Sequence, residues 1–238
     1  MLIDTSLPIL AVDTGTSFLS LALRADGEVR LYHENVGTRQ SELILPQIRV
    51  LFEQAGIGAS DLGGIVYAQG PGAFTGLRIG AGVVQGLATP FDTPVIGVPS
   101  LDAAAYLVPD CPCVLAATDA RMGEVFYAWF DTQSHTRLGD YHVGKASEIV
   151  LQQGQTFGAG VGNAFALADK PPFDGISSMP TAADFLELAL SGRYPAADAA
   201  HAELLYVRDK IALTAKEQAE RKAKPWTSVR QALMTVPP

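Results

Sequence analysis

Two aspartates stand at the ends of short apolar runs that predict buried strands. Asp13 follows one such run, Asp119 follows another, and a glycine-containing turn comes after each of them. Carboxylates placed in this way could hold a metal ion or water facing a nucleotide, while backbone N–H groups of the turns bind its phosphates. The simpler alternative is that each carboxylate accepts N–H bonds within its own turn. Asp119 has a third option, which is an ion pair with Arg121 or Arg78.

A third candidate is the glycine-rich stretch Gly70–Gly80, which reads GPGAFTGLRIG and lies between a predicted strand and a predicted helix. Such a turn points free N–H groups at the start of a helix, which favours a bound anion. Its spacing matches neither the dinucleotide fingerprint nor the P-loop, so a tight strand-to-helix turn is favoured. We expect weak ATP or ADP binding at most and no required cofactor. The contacts would come from Asp13, Thr14, Gly15, Gly70, Gly72 and Asp119.

Other catalytic arrangements find little support in the sequence. The triplet Asp13-Thr14-Gly15 has the form found in aspartic proteases, which need two carboxylates that share a proton. The sequence holds no second copy of it, so a peptidase would have to be a homodimer. The histidines are too scattered to predict a metal site: His33, His135, His142 and His201. We therefore assign no catalytic residue and no metal ligand.

Composition narrows the class of protein. The 238 residues are 48% hydrophobic and 18% charged, which is typical of a globular chain with a sizeable core. No uncharged run approaches the ~20 apolar residues of a membrane span, and the start of the chain lacks the basic residues of a signal peptide. Two cysteines are too few for a disulfide framework. We expect a cytoplasmic protein that makes no membrane contact.

The charge is unevenly distributed along the chain. The net charge of −8 argues against a dedicated nucleic-acid surface. Residues 208–238, however, carry seven basic and three acidic side chains, so this tail is +4 and the remainder of the chain is −12. A solvated surface helix is the favoured interpretation of the tail. Contact with RNA or with an acidic partner is the alternative.

The elements that position the two aspartates follow a repeated order. Three predicted antiparallel strands come first, with a hairpin at Asp26-Gly27, and then a helix, a strand, the glycine turn and a second helix. The order strand, aspartate, turn, strand recurs around Asp119. We infer an internal duplication. It gives an N-terminal lobe over residues 1–108, a C-terminal lobe over residues 109–207, and a basic helical tail over residues 208–238 that packs back on the N-terminal lobe.

Within the C-terminal lobe, the pattern predicts a helix around residues 146–153 and a second glycine-rich turn over residues 156–164. A further helix is predicted over residues 181–190, with Thr181 as its cap. Residues 203–207 are predicted to form a short strand.

Two predicted helices carry more apolar surface than one sheet can cover. Residues 74–89 are apolar on nearly all sides and have glycines at i,i+4 spacing, and residues 41–55 carry apolar side chains on three faces. Each helix therefore needs a second covering layer, either within this chain or on another chain.

Several segments together resemble the TsaB family, also called YeaZ, of bacterial tRNA threonylcarbamoyladenosine biosynthesis. They are Ile9–Ser17, Gly70–Gly80, Gly97–Leu101 and Asp119–Tyr127, and residues 203–214 resemble the closing motif of the family. Older names call its members glycoproteases or peptidase-like proteins. The likeness runs from about residue 9 to residue 214 and does not cover the tail beyond Lys216.

The resemblance implies a two-lobed actin-like ATPase (ASKHA) fold of the α/β class, with a duplicated mixed sheet flanked by helices. It implies a subunit without catalysis of its own, which pairs with a catalytic homologue, TsaD. A small ATPase, TsaE, binds that pair, and tRNA is reached only through the complex. A stand-alone ATPase or phosphotransferase is the first alternative, and a peptidase is the weaker one.

The two helices with surplus apolar surface, residues 41–55 and 74–89, correspond to those that the family uses to pack against TsaD. Members that are alone tend to form homodimers through the same region. The resemblance therefore places the partner interface at Leu43, Pro46, Gln47, Val50, Thr75, Ile79, Gly82, Val83 and Gly86.

One position departs from the family pattern. Relatives often carry a histidine just before the Ser-Glu-x-x-Leu-Pro run, and here that position is Gln40. Any role of that histidine is therefore in doubt for this chain. The paired metal-binding histidines of TsaD have no counterpart between Gln40 and Ala55.

Overall fold

The structure is a computed structural model and describes residues 2–207. The strands of its first sheet are β1 (Ile9–Asp13), β2 (Phe18–Ala25), β3 (Glu28–Asn35), β4 (Gly64–Gly70) and β5 (Val95–Pro99). The α-helices of the described residues are α1 (Gln40–Ala55), α2 (Phe74–Ala88), α3 (Ser100–Ala105) and α4 (Ala182–Leu190). The sheet order is β3-β2-β1-β4-β5. β2 runs antiparallel to β1 and β3, whereas β4 runs parallel to β1 and β5.

Local signals in the sequence explain several of these bounds. Asp26 (φ 53°) and Gly27 (φ 79°) form the predicted hairpin through the left-handed region, which Asp tolerates and Gly adopts freely. Gly56 ends α1 in the same region, with φ 67°. Thr181 caps α4 through a capping box with Asp184, as predicted.

Alternation along the strands of the first sheet creates two separate cores. On one face, Leu10, Val12 and Ile65 join a core that α1 and α2 complete. On the other face, Ile9 and Ala11 join a core that α4 completes. The first sheet is therefore covered on both faces by elements of this chain.

The second sheet repeats the arrangement in reduced form. Its strands are β6 (Val114–Arg121), β7 (Glu124–Asp131), β8 (Thr136–Arg137), β9 (His142–Gly144) and β10 (Ala159–Val161). Their order is β10-β6-β7-β8, and β9 also pairs with β7. β7 runs antiparallel and β10 parallel to β6, as β2 and β4 do to β1. The predicted two-lobed fold with a duplicated mixed sheet is confirmed.

The predicted helix over residues 146–153 is wrong. The chain forms only a 3-10 turn over Ala146–Glu148. Ile149 is buried while its neighbour Val150 is 75% exposed, so no continuous helical face is buried here. Two β-branched residues in succession followed by Gly154 also weaken helix formation. The predicted second glycine-rich turn, in turn, contains the short strand β10.

Two helices connect the two sheets by packing. Leu101 and Ala104 of α3 pack in a core with Val114 and Phe130 of the second sheet. α4, which follows that sheet in sequence, packs instead on the first sheet. Residues after α4 stay there, since Val95 and Ala197 exchange two backbone hydrogen bonds. The predicted lobe boundary at residue 108 stays a prediction. The boundary divides the sequence, whereas in space α3 packs on the second sheet and α4 on the first.

The predicted strand over residues 203–207 is also wrong, since this segment does not pair as a strand in either sheet. The Leu205 amide donates to the Gln69 carbonyl, and the Tyr67 hydroxyl donates to the Glu203 carbonyl. The predicted helical tail over residues 208–238, and its return to the N-terminal lobe, lie outside the described residues. Between residues 2 and 207, no helix combines the length and hydropathy needed to cross a membrane.

Candidate functional site

The ends of β1 and β6 meet at a small cleft between the two sheets. Asp13, Gly15, Gly72 and Asp119 line it, so the fold brings four of the six predicted anion-contact residues together. The Thr14 hydroxyl donates instead to the Gly76 carbonyl of α2. Gly70 lies against the Leu205 carbonyl, which would be 3.1 Å from a Cβ at this position. The cavity measures about 30 Å³, which is room for one or two water molecules. A nucleotide site needs about 300 Å³ or more, so nucleotide binding would require this cleft to open.

Asp13 is buried and has no cationic partner among the described residues. Its Oδ1 accepts a hydrogen bond from the Gly15 amide at 2.8 Å. Burial raises the pKa of the Asp13 carboxyl to about 6, and the bond from Gly15 opposes only part of that rise. Asp13 therefore acts as the cap of its own turn while carrying a large desolvation cost.

Asp119 is tied by two other interactions. Its carboxylate accepts from the Arg121 amide at 2.7 Å and forms an ion pair with the Arg121 guanidinium at 3.3 Å. Its own amide donates to Asn163 Oδ1, which follows β10. The turn-capping and Arg121 alternatives are both realised, whereas Arg78 lies elsewhere, over the Phe74 ring.

The glycine-rich turn packs directly on the loop after β1. A Cβ on Gly72 would lie 2.7 Å from the Gly15 carbonyl oxygen. The Ala73 amide donates to that same carbonyl, so an N–H group that could face an anion is already used. These glycines permit close approach of two backbones. The predicted anion contact at the turn stays a prediction.

Two buried hydroxyls in the cleft were missed by sequence reasoning. Ser100 Oγ and Thr118 Oγ1 are buried, line the cleft and have no hydrogen-bond partner among the described residues. Ser100 starts α3 and Thr118 lies within β6 next to Asp119, so neither had a signal beyond its neighbours in sequence. Buried polar groups are normally satisfied, so this cleft is suited to ordered water.

No cluster of three or more His, Cys, Asp or Glu side chains suited to a metal occurs within residues 2–207. Gln40 is buried, and its Nε2 donates to the Thr16 carbonyl at 2.8 Å. This bond ties the start of α1 to the loop after β1. Gln40 therefore has a structural role in this chain.

A second candidate site is the outer face of α1 and α2, which lie side by side on the first sheet. All nine residues predicted to meet a partner are exposed or half-buried. Leu43, Ile79 and Val83 pack their inner sides against the core and leave the rest of the side chain accessible. Val50 is 41% exposed. We call these nine residues the docking face.

The glycines of α2 differ in what surrounds them. A Cβ on Gly76 would lie 2.0 Å from the Thr14 carbonyl oxygen, and one on Gly80 would lie 2.4 Å from Thr14 Oγ1. A Cβ on Gly82 or Gly86 would meet no atom of the described part of the chain within 4 Å. Contacts within the described residues therefore require glycine at Gly76 and Gly80, which we call the inner pair. They give no reason for glycine at Gly82 and Gly86, the outer pair, which lie on the docking face.

The sheet order, the duplicated lobes and the aspartates at the inter-lobe cleft define a two-lobed α/β protein of the actin-like ATPase (ASKHA) class. Residues 34–157 match the family model described as TsaD, tRNA N6-adenosine threonylcarbamoyltransferase. The tRNA threonylcarbamoyladenosine biosynthesis protein TsaB of Escherichia coli is 34% identical over 230 residues, covering 86% of this chain and 96% of that protein. The TsaB protein of Bacillus subtilis is 31% identical over 147 residues, covering 61% and 60%.

Comparison with solved structures agrees. YeaZ from Pseudomonas aeruginosa superposes with a TM-score of 0.74 at 31% identity, covering 84% of this chain and 99% of that one. The chain belongs to the TsaB (YeaZ) family.

Proposed function

We propose that this chain is a non-catalytic subunit for the synthesis of threonylcarbamoyladenosine in tRNA. It acts by docking to a catalytic TsaD homologue through the outer face of α1 and α2. Two findings support the biosynthetic role: the names of its curated TsaB relatives and the match to the TsaD family model. The docking role rests on the geometry of α2.

The single observation that carries the docking proposal is the outer glycine pair. Glycine inside a helix costs about 1 kcal/mol relative to alanine, because more backbone entropy is lost on folding. Gly82 and Gly86 carry this cost although alanine would fit at both positions. A second helix that approaches α2 closely would explain them, since glycines let helix backbones come into near contact.

The rest of the docking face suits the same partner. Half-buried Leu43, Ile79 and Val83 flank the glycines, and Pro46 and Val50 of α1 extend the surface. A pair of helices that meets a similar pair forms a four-helix core. A homologue with the same fold offers such a pair, and so does a second copy of this chain. The isolated chain would therefore form a homodimer through this face and exchange it for TsaD.

The proposal extends to the assembled complex. TsaE, a small ATPase, would bind the TsaB–TsaD pair, and the catalytic residues would belong to TsaD. Substrate tRNA would be held chiefly by the complex. The reaction would take place in the cytoplasm, without a cofactor bound by this chain.

The direct test is co-purification with a TsaD homologue. Val83→Asp places a charge in the centre of the docking face, and we expect it to abolish the complex while the far-ultraviolet circular dichroism stays that of the wild type. Glu187→Gln, on the exposed side of α4, is the matched control and should co-purify normally. A complex that survives Val83→Asp would contradict the docking proposal.

A nucleotide-dependent enzyme is the second candidate function. It is favoured by the convergence at one cleft of Asp13 and Asp119 with two hydroxyls, of Ser100 and Thr118, that have no partner within residues 2–207. Calorimetry with ATP and Mg²⁺ tests it. Binding heat that disappears in Asp13→Asn, together with ATP hydrolysis, would support this candidate, and the absence of both would dismiss it.

A further inference from the structure

A small cluster of aromatic and arginine side chains borders the docking face and has no role so far. It consists of Phe74 and Arg78 of α2 with Tyr206, and we call it the aromatic–arginine patch. The Arg78 guanidinium carbon lies 3.2 Å from the centroid of the Phe74 ring and 5.7 Å from that of Tyr206. Phe74 is 40% and Tyr206 is 47% exposed, so the patch is open to solvent.

The exposed arginines of residues 2–207 fall into two groups. Arg39, Arg49 and Arg121 each form an ion pair with a nearby carboxylate. Arg137 and Arg193, like Arg78, lie over an aromatic ring instead. Arg78 is exposed and has no carboxylate partner among residues 2–207. Stacking on Phe74 holds the guanidinium plane while its N–H edge stays available for a bidentate anion such as phosphate.

Tyr206 is held beside this arginine by its neighbours. The Leu205 amide donates to the Gln69 carbonyl at 2.8 Å, and the Glu203 carbonyl accepts from the Tyr67 hydroxyl at 2.9 Å. The Tyr206 ring is tilted 50° from the Phe74 ring at 6.0 Å, so the rings do not stack fully on one another. An exposed aromatic ring next to an exposed guanidinium is the usual combination for stacking a base and binding its phosphate.

The sequence carries positive charge directly after Tyr206 and Val207. Arg208 follows Tyr206 by two residues and begins the segment of charge +4, in a chain whose net charge is −8. A local excess of cationic charge is what a polyanion requires from an otherwise acidic protein.

We propose that the aromatic–arginine patch contacts RNA, with Arg78 on a phosphate and Tyr206 against an unpaired base. The identity of that RNA as substrate tRNA rests on the proposed function. The patch adds a direct contact to the tRNA that the catalytic partner holds. An acidic protein would use Arg78 equally well but would gain little from the exposed ring of Tyr206.

The test measures binding of the full chain to a fluorescein-labelled, unmodified tRNA transcript by anisotropy, between about 50 and 200 mM KCl. Each lost phosphate contact makes the slope of log K against log salt shallower by about 0.7 to 0.9. We expect that change in Arg78→Gln and a retained slope in Arg78→Lys. Tyr206→Ala should bind about tenfold more weakly at every salt concentration, because base stacking is lost.

Arg49→Gln is the matched control, since it removes one exposed charge on α1 that is paired with Glu53. It should keep the wild-type slope and affinity. An equal effect of Arg49→Gln and Arg78→Gln, or no salt-dependent binding by the wild type, would overturn the proposal. So would unchanged binding in Tyr206→Ala with polyglutamate competing as well as RNA, which would indicate an acidic protein partner.

The outcome is separable from that of the proposed function. Arg78→Gln should still co-purify with the TsaD homologue, because Arg78 is not part of the docking face. If Arg78→Gln keeps both the complex and the wild-type salt slope, only the RNA contact is contradicted. If the complex survives Val83→Asp, only the docking role is contradicted.

Discussion

The two glycine pairs of α2 occupy different sides of one helix, and only one pair is explained by the fold. Gly76 and Gly80 face the loop after β1, where a methyl group would collide with Thr14. Gly82 and Gly86 face outward, where a methyl group would collide with no atom of residues 2–207. A glycine is therefore informative about partners only after its own chain has been searched for a reason. The same i,i+4 spacing therefore reflects contact with Thr14 at Gly76 and Gly80. At Gly82 and Gly86 it points to a partner outside the described residues.

The largest effect is expected at Gly76. Gly76→Ala would drive a Cβ to 2.0 Å from a backbone oxygen that cannot move without shifting β1. We expect a loss of about 3 kcal/mol in the free energy of unfolding, or failure to fold. Urea denaturation followed by circular dichroism measures it, and wild-type stability would break the distinction between the two pairs.

Asp13 lies next to Thr14, the residue that Gly76 and Gly80 contact, so its protonation tests the same region. Since burial raises its pKa to about 6, the folded state holds the proton more tightly than the unfolded state, whose pKa is about 4. Stability should therefore fall as the pH rises from about 4 to about 6 and stay low above that window.

Asp13→Asn should remove this loss while keeping an oxygen that accepts from Gly15. We expect a gain of roughly 2 to 3 kcal/mol near pH 8 and almost none near pH 4, measured by urea denaturation at both pH values. An equal gain at the two pH values would show that desolvation of the carboxylate is not the cause.

A smaller loss is expected at Gly80. Its Cβ would lie 2.4 Å from Thr14 Oγ1, an atom on a side chain that can rotate. Rotation would break the hydrogen bond that Thr14 donates to the Gly76 carbonyl at 2.7 Å. We expect Gly80→Ala to cost about 1 to 2 kcal/mol. In a Thr14→Val background the hydrogen-bond part of that cost should vanish, and full additivity of the two changes would contradict this explanation.

The sequence predicted the first lobe well because its signals are local. The continuous apolar run in residues 9–12 and the Asp26-Gly27 hairpin depend only on near neighbours. The surplus apolar faces of α1 and α2 were likewise visible from helical periodicity. These patterns specify which faces must be buried but do not specify by which element.

Features set by long-range contacts were not predictable. No local pattern shows that α4 returns to the first sheet or that Ser100 and Thr118 become buried at one cleft. In the misassigned helix at residues 146–153, Ala146 and Ile149 are buried in the core, but Val150 is 75% exposed, so the segment has no continuous helical face to bury. Nor could spacing show that Gly76 and Gly82 differ, since the difference lies in Thr14, which is far away in sequence.

The most direct test of the central claim is the double variant Gly82→Ala/Gly86→Ala. Alanine favours a helix by about 1 kcal/mol per glycine replaced, so the free chain should become more stable by about 1 to 2 kcal/mol. The two methyl groups should at the same time block close approach of a partner helix. We therefore expect a raised free energy of unfolding together with a Kd for the TsaD homologue that is weaker by tenfold or more. A more stable chain with unchanged partner affinity would contradict the claim that the outer glycines form a docking face.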